Sequence, residues 1–310
     1  MIWAGLLVAL LVAAFPLSEA LRAPMDDTAR RAAPGRFADL PSGRTHYRWD
    51  GPLRGPVAVC LHGLTVSGPI LDGVAEGLAR MGFRVLRYDL YGRGFSDRPP
   101  GAQDSAFFLR QLDEMLTHEG LEGDLTLVGY SMGGAIATAF AAEAPHRVDR
   151  LILLASAGLG TAPPALARIA IDLPILGDWL VQVTGGWQIR RMARAFAAMP
   201  DLPQGGGQAL IAAQIAETRF RGFLPAVLSS LRHLLARDMT QAHRKLARGD
   251  IPVLALWADA DEVIPPTAPG RLAAIDRRAM QQAIPGASHV MPVTHTREIH
   301  AAIQTFLRDR

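Results

Sequence analysis

"LTLVGYSMGGAIATAFA", residues 125–141, decides how this chain is read. An unbroken apolar run of strand type, Leu125–Val128, meets a tight bend and leaves it as an alanine-rich helix. Ser131 stands at the tip of the bend, with Gly129 and Gly133 two residues to either side. A sharp strand-to-helix turn forces its central residue towards an unfavourable backbone conformation and crowds the residues two away. Glycine relieves that crowding because it has no Cβ. The turn lifts the serine hydroxyl above the carboxyl end of the strand, where open α/β sheets bind ligands. It also aims the first free amides of the following helix at whatever the serine attacks.

Outward from the bend, extended and helical patterns alternate. "RTHYRW", "VAVCLH", "FRVLRYD", "VDRLILLASAG", "IPVLALW" and "RRAMQQAI" read as strands, with helix-length segments between most of them. Apolar runs without alternation imply a mostly parallel sheet covered on both faces. The rhythm breaks from about Gly160 to Arg248, where the pattern is wholly helical with Pro and Gly punctuation. An amphipathic helix, "THTREIHAAIQTFLRD", closes the chain. The predicted organisation is an N-terminal apolar segment (1–20), a linker (21–42), a core in two parts (43–159 and 249–310) and a helical insertion (160–248).

A serine hydroxyl is a poor nucleophile until a base takes its proton, and an imidazole base needs a carboxylate to fix its tautomer. "VLALWADADEVIP" ends a strand and places Asp259 and Asp261 just beyond it, and "IPGASHVMP" follows the last strand and carries His289. The order is Ser, Asp, His, with either aspartate eligible on position alone.

Five segments in this order, "LHGLTVSG", "RYDLYGRGFSDRP", "GYSMGG", the acid segment and the histidine segment, resemble the α/β-hydrolase fold superfamily from Gly43 to the C-terminus. The resemblance implies Ser131 as nucleophile, His289 as general base and acid, and Asp261, four residues before Pro265, as the acid. It implies an oxyanion hole made by the backbone N–H groups of Leu64 and Met132, and a helical cap after the sixth strand. Trp179, Trp187, Met192, Phe196, Phe220 and Phe223 are the candidate apolar lining of that cap. The implied activity is hydrolysis of carboxylic esters with an apolar acyl group, of carboxylesterase or monoacylglycerol/lysolipid lipase type, with no cofactor and no metal. Carbon–carbon bond hydrolases, acyltransferases and non-turnover small-molecule sensors share the pattern. Dehalogenases and epoxide hydrolases carry Asp where this chain has Ser131.

Two departures stand out: an apolar Leu64 follows the His-Gly pair, and Ser288 precedes the histidine where the family often has Gly. His62, Asp89, Arg93 and Asp97 read as loop-bracing groups, and His295 and His300 as surface residues of the last helix.

The 310 residues are 49% hydrophobic and 20% charged, with a net charge of +3, enough apolar content for a sizeable core. Basic residues are scattered rather than clustered, which argues against a nucleic-acid partner. The single cysteine, Cys60, forbids an internal disulfide and reads as a small buried hydrophobe. "MIWAGLLVALLVAAFPL" is 17 residues without a charge, near the lower limit for a membrane-spanning helix. Arginines follow it and none precedes it. That predicts a membrane anchor with the domain on the cytoplasmic side, against the alternative of a signal cleaved after "SEA".

Overall fold

The computed structural model describes residues 3, 14–160, 165–198, 202 and 206–309. Eight strands form one sheet in the order β1-β2-β4-β3-β5-β6-β7-β8. They are β1 (Arg36–Leu40), β2 (Gly43–Asp50), β3 (Val57–Leu61), β4 (Arg84–Tyr88), β5 (Leu125–Tyr130), β6 (Val148–Leu154), β7 (Val253–Ala258) and β8 (Met280–Ile284). β2 runs antiparallel to its neighbours, and all pairs from β4 to β8 are parallel. All six residues of β5 are buried, so its alternating side chains meet helices on both faces.

The covering helices are α1 (Asp72–Arg80), α2 (Ser105–His118) and α3 (Met132–Glu143). The insertion follows with α4 (Ala165–Asp172), α5 (Leu176–Leu180), a π-helical turn (Val181–Gly185), α6 (Gly186–Ala197), α7 (Gly206–Glu217) and α8 (Phe223–Arg232). α9 (Thr240–Arg248), α10 (Ala268–Ile275) and α11 (Thr296–Arg308) complete the chain. α1 packs with α11, while α2, α3, α9 and α10 form a contiguous second layer. α9, expected within the insertion, belongs to this core layer: it lies on α3 and buries Leu246 in the main hydrophobic cluster. The cap proper is α4–α8.

The segment expected as a linker is instead docked. Residues 36–40 are the sheet's edge strand. Before it, Ala23 pairs with the backbone at Arg219–Arg221, and Arg22 donates to the side chain and carbonyl of Gln182. Arg30 donates to the Phe95 carbonyl at 3.0 Å and ion-pairs with Asp97. Most of the N-terminal apolar segment, residues 1, 2 and 4–13, lies outside the described residues; residues 14–20 are helical. Among the described residues no helix is long and apolar enough to cross a membrane. His300, expected on the surface, packs over Gly77 and donates from Nε2 to the Gly73 carbonyl at 2.9 Å. A Cβ on Gly77 would sit 2.0 Å from the imidazole, so a larger residue there would have to displace the His300 side chain from this contact.

The cap is tied to the core by buried polar groups. The Glu217 carboxylate, at the end of α7, accepts from the Gly94 N–H at 3.1 Å, and its other oxygen has no hydrogen-bond partner. Burial pushes its pKa up to about 7 against the lowering influence of Gly94 and Ser67. A carboxyl with a raised folded-state pKa holds more proton when folded. Its stabilising influence is complete below the unfolded pKa and is lost as pH rises through the folded value. Thermal unfolding of the wild-type protein is therefore expected to fall more steeply between pH 5 and 8 than that of Glu217→Gln. Equal slopes in differential scanning calorimetry would contradict this.

Candidate active site

Ser131 links β5 to α3 at φ 53°, ψ −116°, a conformation costly for a non-glycine residue. Hydrogen bonds hold it there: its N–H donates to the Leu154 carbonyl at 3.0 Å, and its carbonyl accepts from Gly134 at 3.0 Å and Ala157 at 3.1 Å. The close approach that the glycines permit is measurable. A Cβ on Gly129 would lie 2.5 Å from the Gly133 carbonyl oxygen, and one on Gly133 would lie 2.1 Å from the Leu61 carbonyl oxygen. Both contacts are with backbone, which cannot step aside.

The imidazole of His289 lies between Ser131 and Asp261. Its Nε2 is 3.0 Å from Ser131 Oγ and its Nδ1 is 2.9 Å from Asp261 Oδ2. The second carboxylate oxygen of Asp261 accepts from the N–H groups of Val263 at 2.7 Å and Ile264 at 2.9 Å. Burial alone would raise this carboxyl's pKa, but the hydrogen bond and charge of His289 together with the two amides hold it below the usual value. An ionised Asp261 keeps the proton on Nδ1 and leaves Nε2 to face the hydroxyl. Tyr130 donates its phenol to the His289 carbonyl at 3.0 Å, anchoring the histidine loop to β5. Asp259 is exposed and does not meet the imidazole.

The loop after β3 abuts Ser131, since a Cβ on Gly63 would lie 3.5 Å from Ser131 Cβ. Among the described residues the N–H groups of Leu64 and Met132 donate to no protein acceptor. His62 fixes the peptide that carries the Leu64 N–H: its Nδ1 donates to the Gly63 carbonyl at 2.9 Å, and its Nε2 accepts from Leu90 N–H at 2.8 Å. Burial lowers its pKa to about 4, so it stays neutral in that tautomer. Arg93 is fully buried and donates from Nε to the Leu64 carbonyl at 3.0 Å. Its other donors reach Tyr91, Gln103, Ala226 and Ser230, the last two on α8. One guanidinium thus joins the loop to the cap. Gln214 on α7 adds a 3.2 Å bond to Thr65.

Of the six candidate cap residues, Phe223 is the one buried beside this loop, in a cluster with Ile189, Leu224 and Val227 against which Leu64 packs. Phe196 is half-buried against the main core, and Trp179 and Phe220 are partly buried. Trp187 and Met192 are 55% and 66% exposed, so they do not roof the site; the face of α6 that turns inward carries Ile189 and Ala193. Trp187 and Met192 lie outside the buried stripe of α6, so residue type alone does not tell which side of the helix faces the site. Gln214 and Glu217 gave no sequence signal, since a lone polar residue at the end of a helix usually meets solvent.

A profile of the alpha/beta hydrolase fold family matches residues 56–296. An uncharacterized protein of Mycobacterium tuberculosis is 28% identical over 68% of this chain and 63% of its own length. Lipase 1 of Psychrobacter immobilis is 27% identical over 71% of this chain and 67% of its own. The chain spans about three-fifths of the length of the mycobacterial relative. A hydrolase of known structure from Pseudomonas aeruginosa superposes with a TM-score of 0.72 at 23% identity, covering 89% of this chain and 99% of that one, a likeness of fold.

Gly133→Ala is expected to lower stability by about 2 to 3 kcal/mol, because the new methyl meets two carbonyl oxygens rather than a movable side chain. Urea denaturation with an unchanged m-value checks this; an unaltered midpoint would contradict it.

Proposed function

We propose, from the premise that this chain belongs to the alpha/beta hydrolase fold family, that it is a serine hydrolase cleaving carboxylic esters with an apolar acyl group. The observation that carries the reading is the continuous Ser131–His289–Asp261 hydrogen-bonded chain, 3.0 and 2.9 Å, standing beside two unengaged backbone N–H groups.

Ser131 Oγ attacks the ester carbonyl while His289 Nε2 takes its proton. The oxygen of the tetrahedral intermediate accepts from Leu64 and Met132, groups already rigid and therefore free of reorganisation cost. The imidazolium, stabilised by ionised Asp261, returns the proton to the departing alcohol and leaves an acyl-enzyme. Water deprotonated by the same nitrogen then attacks the acyl carbonyl, and Ser131 recovers its proton as the acid departs. Leu64 contributes both a backbone donor and an apolar side chain packed on the Phe223 cluster, which supports an acyl group without charge.

A fluorophosphonate probe is expected to label Ser131 and to leave Ser131→Ala unlabelled; labelling that survives the substitution would overturn the nucleophile assignment. Asp261→Asn is expected to lower kcat by about four orders of magnitude with the fold intact, because the amide favours the wrong imidazole tautomer. Asp259→Asn is expected to leave turnover of p-nitrophenyl esters within about twofold, as for a surface substitution. A reversed ranking would exchange their roles.

A further inference from the structure

Exposed large hydrophobic side chains are unevenly distributed. Among the described residues, all of them apart from Trp3, Leu53 and Val263 fall within residues 15–21 or residues 169–192. These two segments are neighbours, joined where Arg22 donates to the side chain and backbone of Gln182. Scattered exposed apolar residues are ordinary, but their concentration in one place is not.

The centre of this region is the turn Leu173-Pro174-Ile175-Leu176 between α4 and α5. Its three large side chains are 46%, 87% and 54% exposed. The turn is held rigidly outward. Arg232 donates to the carbonyls of Ala170 at 2.9 Å and Ile171 at 3.2 Å, and its Nη1 meets both carboxylate oxygens of Asp178 at 2.9 Å. Ile175 has φ +33°, an unfavourable conformation for a β-branched residue, and its side chain gains no burial in return. On the outer side of α6, Trp187 and Met192 are exposed, with Arg191 over the indole ring at 5.5 Å.

We propose that this edge of the cap docks on the surface of an anionic lipid bilayer, with Ile175 and Leu176 seated shallowly among the acyl chains. Three observations favour a bilayer over a protein partner. The apolar groups protrude from a turn, whereas a protein interface core is built on close complementarity of opposed surfaces. The exposed charges within residues 168–194 are the cations Arg168, Arg191 and Arg194 against one exposed carboxylate, Asp172. Long cationic side chains beside Trp and Leu are what the headgroup boundary accommodates. The segment docked at Arg22 and Ala23 also follows the uncharged sequence of residues 1–17, which joins the described chain beside the same cap edge. The insertion leaves β6 at its carboxyl end, the same end of the sheet as Ser131, so a docked cap brings the candidate active site to the membrane surface. The docking itself does not depend on the catalytic reading.

The test uses the full chain. Cys60 is buried at 1% exposure, so a cysteine introduced at Ile175 is the reactive thiol for a polarity-sensitive fluorophore. Leu53→Cys, 94% exposed before β3 at the amino ends of the parallel strands, is the control. With vesicles of phosphatidylcholine and phosphatidylglycerol, emission at position 175 is expected to shift to the blue, rise several-fold and be quenched by bromine-labelled acyl chains. Position 53 is expected to stay unchanged. Arg191→Gln and Arg194→Gln are each expected to raise the vesicle concentration at half-maximal shift about fivefold. Vesicle-bound protein with an unshifted probe at 175 would overturn the proposal, because the N-terminal sequence alone would then be the attachment. A probe already blue-shifted without vesicles would overturn it too, showing the face covered by this chain or by a second copy. Loss of ester turnover in the unmodified protein would bear on the catalytic reading and leave these optical outcomes intact.

Discussion

The structure depends on one strained residue. Ser131 occupies a backbone conformation that a serine does not adopt unaided, and the strain persists because its surroundings over-determine it. The N–H is tied to β6, the carbonyl is tied to α3 and to the segment after β6, and glycines on both sides let three backbones approach within contact. That geometry places the hydroxyl at the sheet's carboxyl end and the Met132 N–H beside it. The histidine and aspartate loops then have only to reach the same rim, which parallel strands β7 and β8 allow because both end there.

Around this point the molecule uses buried polar groups as braces more than as reactants. His62 is held neutral by burial and fixes the peptide carrying the Leu64 N–H. Arg93, fully buried and facing neutral acceptors, has its pKa pulled down to about 9 by desolvation yet keeps every donor engaged. Asp89 accepts from Gly68 and Phe95 amides and pairs with His46. Such a network is costly to assemble and intolerant of partial loss, which makes it suited to holding a loop at one position. Because Arg93 joins that loop to α8, cap position and the placement of the Leu64 peptide are mechanically linked.

Much of this was legible in the sequence for definite reasons. The central strands could be read because burial on both faces leaves uninterrupted apolar runs, and the bend at Ser131 because only glycine satisfies its crowding. Asp261 could be told from Asp259 by resemblance alone, and the structure brings Asp261 to the imidazole. The edge strand Arg36–Leu40 was missed: two of its five residues face solvent, and the arginine and proline around it read as linker. The cap lining was over-assigned. An aromatic residue on an amphipathic helix has no mark in the sequence saying which side faces the site, and Trp187 and Met192 face outward. His300 was misplaced because its partner is a backbone carbonyl on α1, distant in sequence.

The most direct measurement is rapid-quench mass spectrometry during turnover of a short-chain p-nitrophenyl ester. Covalent chemistry through Ser131 predicts a burst of p-nitrophenol matched by an acyl adduct on the peptide containing that residue. Turnover with no adduct, or with the acyl group on another side chain, would contradict the account.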